Sequence, residues 1–529
     1  MGKSILKQAS ILVFASFLVR FMGFLYRIPL TRMLGDTGNS YYSSGYYFYT
    51  FFLVMSSAGL PAAIAKMVAA RNVEKKYRES HKIFKISLAF AAVTGTASMF
   101  ILWNFADVLA NSIKIPESAI VIKTLAPTVL LVSIMACYRG YFQGMKTTGP
   151  TAVSQIIEQI FNAIFSVLMA YVLVDKGLEY GAAGGTSGTG IGALCGLITI
   201  VAIYFINRNA IIKRTEFNDV STLSTMYLLK ELVFTAIPII AGTAIFSITN
   251  IIDMRMVMSR LLASGAFSYN DATELYGQLS GKYTVLVTLP VSISTGIATA
   301  SIPNISALKK GRKYKELNEK INSLVKSTMI ICVPAAFGIG ILADPILFLL
   351  FPTTPEGGVL LRFGSLSIIF LSLCQILTGV LQGFGKIRVP VVSAICGAVV
   401  KILLSYVLIA IPSINIVGAI VSTIFCYLVA SSLNYYFLKL CIPTKLRYRS
   451  IFKKPIIASI AMSIVVLIVY NLTILIGGMN WTVNAIAVTL GVVLGGGTYF
   501  ITLIKIRGIS ERDLSSIPFV SKILIKFMK

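Results

Sequence analysis

The sequence predicts an all-α polytopic membrane protein of about fourteen transmembrane helices, arranged as two pseudo-symmetric six-helix lobes plus two C-terminal helices. Three observations predict it. Of the 529 residues, 56% are hydrophobic and only 13% charged, roughly half the ~25% charge of a soluble domain. Apolar runs of about 18 or more residues recur along the whole length, each long enough to cross a hydrocarbon core as a helix. The alternating segments of roughly ten residues that a barrel needs are absent. Finally, a short motif recurs 239 residues downstream of its first occurrence.

The spans read as 8–33, 41–69, 86–110, 119–143, 150–174 and 184–207 in the first half. They continue as 230–261, 276–306, 327–350, 357–384, 389–411 and 415–438, with 455–477 and 481–504 appended. The first is not a cleaved leader: it is too long, lacks a small-residue cleavage site and carries Arg20 and Arg27.

The net charge of +27 invites a nucleic-acid reading, and its distribution excludes one. With the first loop placed outward, 34 of the 47 Lys and Arg fall in loops or ends on the cytoplasmic side. Lys and Arg concentrated in short loops of one face set membrane orientation, here with both termini cytoplasmic. The seven cysteines lie in or at the ends of apolar spans without paired or metal-like spacing, and read as small packing residues. His81, the one histidine, lies in a basic loop, so neither a His-based triad nor a zinc site is expected, and no cofactor, metal or catalytic residue is assigned.

The recurring motif reads Tyr138-Arg-Gly-Tyr-Phe-Gln143-Gly144-Met-Lys146 with Pro150 opening the next helix, and Leu377-Thr-Gly-Val-Leu-Gln382-Gly383-Phe-Gly-Lys386 with Pro390. Both join an outward-to-inward helix to its successor, and the turns Gly181-Ala182 and Gly418-Ala419 agree weakly. Six helices per repeat is an even number, so the halves are parallel, the usual basis for alternating access. The expected organisation is a lobe over 1–208, a linker over 209–229, a lobe over 230–440, two further helices over 441–506 and a basic tail over 507–529. In that tail Val520, Ile523, Leu524, Phe527 and Met528 share a helical face, as in a basic amphipathic helix on the inner leaflet. The glycine-rich stretch 181–192 lacks both a preceding strand and a Lys-Ser/Thr pair, so it reads as a turn followed by close helix packing.

Ionisable groups within the spans each need a reason, because a charge at mid-membrane costs about 2.5–3.5 kcal/mol even on the mildest scale. Arg20 and Arg27 share a face of the first helix with Gly23 between them; Lys66 ends the second, where Pro61 is expected to bend it. Arg255 lies in helix 7, Lys282 near the outer end of helix 8 and Lys401 midway along helix 11; the acidic company is Glu158 and Asp253. Arg32, Lys66, Arg260 and Arg362 have interfacial snorkelling as a second reading, and Glu158 or Asp253 can neutralise one cation as a structural pair. The deeper groups still carry an excess of two positive charges, which suits a water-filled cavity for an anion. Gln155, Glu158, Gln159 and Asn162 form a polar stripe on helix 5, as Gln375, Thr378 and Gln382 do on helix 10. Amides suit sugar hydroxyls and equally hold helices together.

The segment Arg20-Phe-Met-Gly23-Phe-Leu-Tyr-Arg27-Ile-Pro29-Leu-Thr-Arg32-Met-Leu-Gly35 resembles the first helix of the MurJ and stage V sporulation protein B group, within the MOP superfamily of exporters. Gly59-Leu-Pro-Ala-Ala-Ile-Ala-Lys66, the turn at 381–386 and Leu289-Pro290 through Pro303-Asn-Ile-Ser306 are similar to the sporulation branch. The resemblance extends to about residue 510. It implies a MATE-like fourteen-helix fold in a bacterial cytoplasmic membrane, with a central cavity. It further implies flipping of an undecaprenyl-pyrophosphate-linked sugar such as lipid II, with Arg20, Arg27 and Lys66 matching the cavity cations. The MurJ proteins carry an arginine just before the helix-8 proline, whereas this chain has apolar residues there and Lys282 about a turn earlier. Implied partners are the lipid-linked substrate, membrane lipids and wall- or spore-assembly machinery. Rival readings are a MATE-type drug or cation antiporter, which wants cavity carboxylates, and a membrane scaffold without transport.

Overall fold

A computed structural model describes residues 2–209, 223–442, 446–447 and 449–509. Among them every regular element is helical. In chain order these are α1 (Gly2–Leu53), α2 (Leu60–Val73), α3 (Tyr77–Asn104), α4 (Ala106–Ser112), α5 (Ala119–Gly144), α6 (Gly149–Leu173), α7 (Leu178–Ile206) and α8 (Thr225–Ala263). There follow α9 (Tyr269–Gly277), α10 (Thr284–Lys310), α11 (Tyr314–Ile341), α12 (Ala343–Leu350), α13 (Gly358–Gly364), α14 (Ser367–Gly383), α15 (Arg388–Leu408), α16 (Val417–Cys441), α17 (Lys454–Gly477) and α18 (Trp481–Lys505). The amphipathic tail expected after 507 and most of the 209–229 linker lie outside the described residues.

Eleven described segments are long and apolar enough to cross a membrane, or twelve with the bent pair α13–α14. The first of them, Leu18–Val73, is 56 residues long and at 1.5 Å per residue far exceeds one bilayer crossing. It folds back at Gly35, whose φ of 62° and ψ of −170° are non-helical. Asn39 donates its amide to the Thr31 carbonyl at 3.3 Å and to the Gly35 carbonyl at 2.6 Å. Eight residues of straight helix rise about 12 Å, so the Thr31–Asn39 bond requires the bend. Two crossings on either side of Gly35, together with α8, give each of the fourteen expected spans a helix. Pro61 lies in the first turn of α2 behind a π-helical stretch, Val54–Ala58. The break therefore precedes the proline, which is tolerated where its missing N–H costs nothing.

The chain divides into two compact units, Met1–Ser259 with Tyr269–Gly277, and Arg260–Ser268 with Gln278–Lys529. In the first unit Leu228, Leu232 and Ala236 of α8 are buried in a core with Leu60, Ile64 and Val68 of α2, Phe84, Tyr141 and Tyr204, so most of α8 belongs to it. His81, expected in a loop, instead occupies the first turns of α3, where its ring packs on Phe84 and Tyr141 at 6.0 and 6.2 Å. In the second unit α17 and α18 attach to α11, with the Tyr499 hydroxyl donating to the Ile330 carbonyl at 2.8 Å. Asn480 caps α18 by accepting from the Val483 N–H.

The recurring motif has the same geometry in each unit. Lys146 N–H donates to Gln143 O and Thr147 N–H to Phe142 O, both at 3.0 Å; Gly385 N–H donates to Gln382 O at 2.8 Å and Lys386 N–H to Leu381 O at 2.9 Å. These are two copies of one left-handed helix cap, with φ of 62° at Lys146 and 72° at Gly385. The glycines before each cap do the same job. A Cβ on Gly140 would lie 2.8 Å from the Pro61 Cα and 2.9 Å from its carbonyl oxygen; one on Gly379 would lie 2.8 Å from the Ala298 Cβ and 2.9 Å from its carbonyl oxygen. Gly144 and Gly383 press one turn further along on Val68 and Ile305. Small residues four apart let helix backbones touch where lipid supplies no hydrophobic drive. The glycines of 181–192 act likewise inside α7: a Cβ on Gly192 would lie 2.5 Å from the Glu158 carbonyl of α6.

Candidate functional site

In the first unit the polar groups gather where α1 meets α6. Arg27 stands on α1 with its guanidinium 4.3 Å from the centroid of the Tyr42 ring, a cation–π contact that partly replaces water. Tyr42 in turn stacks on Tyr46, with ring centroids 5.9 Å apart. Its Nη1 is buried and has no hydrogen-bond partner. The Tyr42 face thus shelters this cation, while Nη1 has no partner. Arg20, two turns earlier, is exposed, and Lys66 lies with Ala62 and Ala70 on the exposed face of α2, opposite buried Ala63, Ile64, Met67 and Val68.

Gln159 of α6 reaches α1 at Gly23, whose Cβ position is 3.5 Å from the amide nitrogen. The polar stripe of α6 therefore meets α1 between Arg20 and Arg27. Glu158 is within electrostatic range of Tyr46 and Tyr49. Its carboxylate accepts from the Arg139 Nη2 of α5 at 2.6 Å. Asn162 has a structural use: its side-chain oxygen accepts from Ser166 at 2.9 Å and from Thr189 of α7 at 3.4 Å. The Gln155 side-chain oxygen is buried without a partner. On α8, Asp253 is half-buried and in electrostatic range of Tyr47 and Tyr276, whereas Arg255 is exposed. Residues two apart point about 200° apart on a helix, so these two do not share a face.

In the second unit Lys401 is half-buried on α15. Lys282 is only 1% exposed. Its ammonium donates to the carbonyls of Thr354 at 2.6 Å and Glu356 at 3.2 Å, with the Phe351 ring centroid at 5.8 Å. It ties a π-helical stretch, Gln278–Tyr283, to the chain after α12. Lys282→Met is expected to remove two part-buried hydrogen bonds from a charged donor to the Thr354 and Glu356 carbonyls, at about 1.5 kcal/mol each. Faster amide exchange over 351–357 by mass spectrometry checks it.

The tyrosines and Arg139 were not among the sequence-derived candidates. The run Tyr41-Tyr42-Ser-Ser-Gly-Tyr46-Tyr47-Phe-Tyr49 was the available signal, being too polar at its hydroxyls for a helix turned only to lipid.

Residues 5–309, more than half the chain, match the family model described as Polysaccharide biosynthesis protein. The chain belongs to that family. Residues 283–407 of the chain also match the family described as MatE. It is 29% identical over 523 residues to "Lipid II flippase MurJ" of Bacillus subtilis (strain 168), covering 94% of this chain and 95% of the relative. It is 22% identical over 531 residues to "Stage V sporulation protein B" of the same organism, covering 99% of each. Identity to the flippase exceeds identity to the sporulation protein, so sequence similarity does not single out the sporulation branch. Among solved structures, "Lipid II flippase MurJ, inward closed conformation" superposes with a TM-score of 0.67 at 15% identity over 93% of this chain and 98% of that one. An inward-facing multidrug resistance MATE transporter of the MOP superfamily gives 0.66 at 14% identity over 81% and 98%. This member of the family is a multi-pass membrane protein with the fold of these MOP superfamily structures.

Proposed function

We propose that the protein flips an undecaprenyl-pyrophosphate-linked saccharide of the lipid II type from the inner to the outer leaflet of a bacterial cytoplasmic membrane. The observation that carries this reading is the Arg27 guanidinium, held against the Tyr42 ring inside an apolar span with its Nη1 buried and without a partner. A buried donor left unfilled costs about 1–3 kcal/mol, and a phosphate oxygen is the acceptor that charge and shape best suit. Arg20 and Lys66, on exposed helix faces, extend the cationic path, and Arg255 and Lys401 are further candidates for it. The lobes 1–208 and 230–440 alternate in access, with both termini cytoplasmic. The protein is a carrier and catalyses no bond change.

Two negative charges carried outward across an inside-negative membrane gain roughly 4.6 kcal/mol at 100 mV, and the same field returns the empty cationic carrier. Collapsing the potential at fixed ion and pH gradients is therefore expected to slow flipping in proteoliposomes, and unchanged flux sinks the electrogenic cycle. Complementation of a strain depleted of its lipid II flippase tests the substrate directly. The MatE match over 283–407 favours a second reading, a drug or cation antiporter. That chemistry needs a free carboxylate, and Glu158 is already engaged by Arg139.

A further inference from the structure

We propose that Arg139 is a further head-group cation, and that Glu158 occupies it while the carrier is empty. The inference rests on the anion-carrier reading above and names a residue and an exchange beyond it. Arg139 Nη2 donates to Glu158 Oε2 at 2.6 Å and to Ser154 Oγ at 2.8 Å, while the Arg139 carbonyl accepts from Thr151 Oγ1 at 3.5 Å. Its Nε is buried and has no partner. A guanidinium has five donors in a planar fork and can serve two oxyanions at once. Glu158 uses one edge of that fork, and the remaining capacity fits a second oxyanion.

The pair belongs to the Arg27 neighbourhood. Gln159, beside Glu158, touches α1 at Gly23, one helical turn from Arg27. Glu158 is held under α7, with the Gly196 Cβ position 3.0 Å from its Cβ. An anion arriving at Arg27 is therefore repelled by Glu158 and attracted by Arg139. The phosphate competes with the carboxylate for the Arg139 fork. The empty state then never leaves Arg139 as an uncompensated charge in an apolar span, which membranes penalise. Glu158 stands in for the phosphate and is displaced by it.

The test is titration of undecaprenyl pyrophosphate against the purified full chain in detergent, with a thermal melt of each variant. Glu158→Gln is expected to tighten binding about tenfold, the size of one charge-assisted hydrogen bond made available. Arg139→Gln is expected to weaken binding about tenfold, and the double variant to match Arg139→Gln alone, because the gain from Glu158→Gln passes through Arg139. Unchanged or weaker binding by a Glu158→Gln chain that melts as wild type makes the pair a structural tie and overturns the proposal. If Glu158→Gln melts lower, Ser154→Ala replaces it; tighter binding supports the exchange and unchanged binding overturns it. Wild-type binding that Arg27→Ala does not weaken, or no binding by any form, defeats the anion-carrier reading itself. Loss with Arg27→Ala alone defeats only the role of Arg139.

Discussion

Arg27→Ala is expected to abolish complementation of a flippase-depleted strain and to lower flux in proteoliposomes about 100-fold, while the chain still inserts and melts near wild type. Truncating one partner of a buried, charge-assisted contact costs about 2–5 kcal/mol, and each 1.4 kcal/mol is tenfold. Folding is expected to survive, because removing a cation whose Nη1 has no partner relieves a desolvation cost that the tyrosines only partly offset. Arg27→Lys separates charge from shape. Lysine keeps the charge and loses the planar fork that engages two phosphate oxygens and stacks on Tyr42. Activity between alanine and wild type is expected for it. Wild-type flux in Arg27→Ala excludes a head-group role.

The second large effect concerns packing, and it comes in a matched pair. Gly140→Val and Gly379→Val each place a branched side chain less than 3 Å from backbone atoms of the facing helix, at Pro61 and Ala298 respectively. Neither backbone can yield without moving its helix, so each substitution is expected to destabilise by about 1–3 kcal/mol or more. Loss of monodisperse protein after heating in detergent measures it. Because the contacts match in both halves, the two variants should fall together. A large loss for one with none for the other contradicts the equivalence of the repeats.

Most of the helices were legible in the sequence, because a span of lipid-facing residues announces itself by hydropathy alone. The repeat was legible from Gln143-Gly144 and Gln382-Gly383, since a left-handed cap and a close helix crossing demand small residues at fixed spacing. The site was less so. Arg139 and Glu158 lie almost equidistant from Gly149, which opens α6, and antiparallel helices joined by a short turn bring such residues together. That symmetry is present in the sequence, but it does not by itself distinguish Arg139 from the cations of the first two helices as the partner of Glu158. Glu158 was weighed as a neutraliser of those cations, and its partner is a different arginine. The anchoring of Lys282 left no mark in sequence, because its acceptors are backbone carbonyls, which every residue has. The pairing of Tyr42 left no mark either, because only the fold brings its ring over the Arg27 guanidinium.

The fold-back at Gly35 bears on how the protein is made. With Asn39 bonded to Thr31 and Gly35 across the bend, the first two crossings are joined by a short turn whose polar groups bond one another. Arg20 and Arg27 alone would burden the first helix by about 2.5–3.5 kcal/mol each at mid-membrane. Entering as a closed pair, that helix presents Arg27 to Tyr42 on the returning limb rather than to lipid. The fold-back therefore supplies the cation and its aromatic shelter from two adjacent stretches of chain, with no need for any later helix.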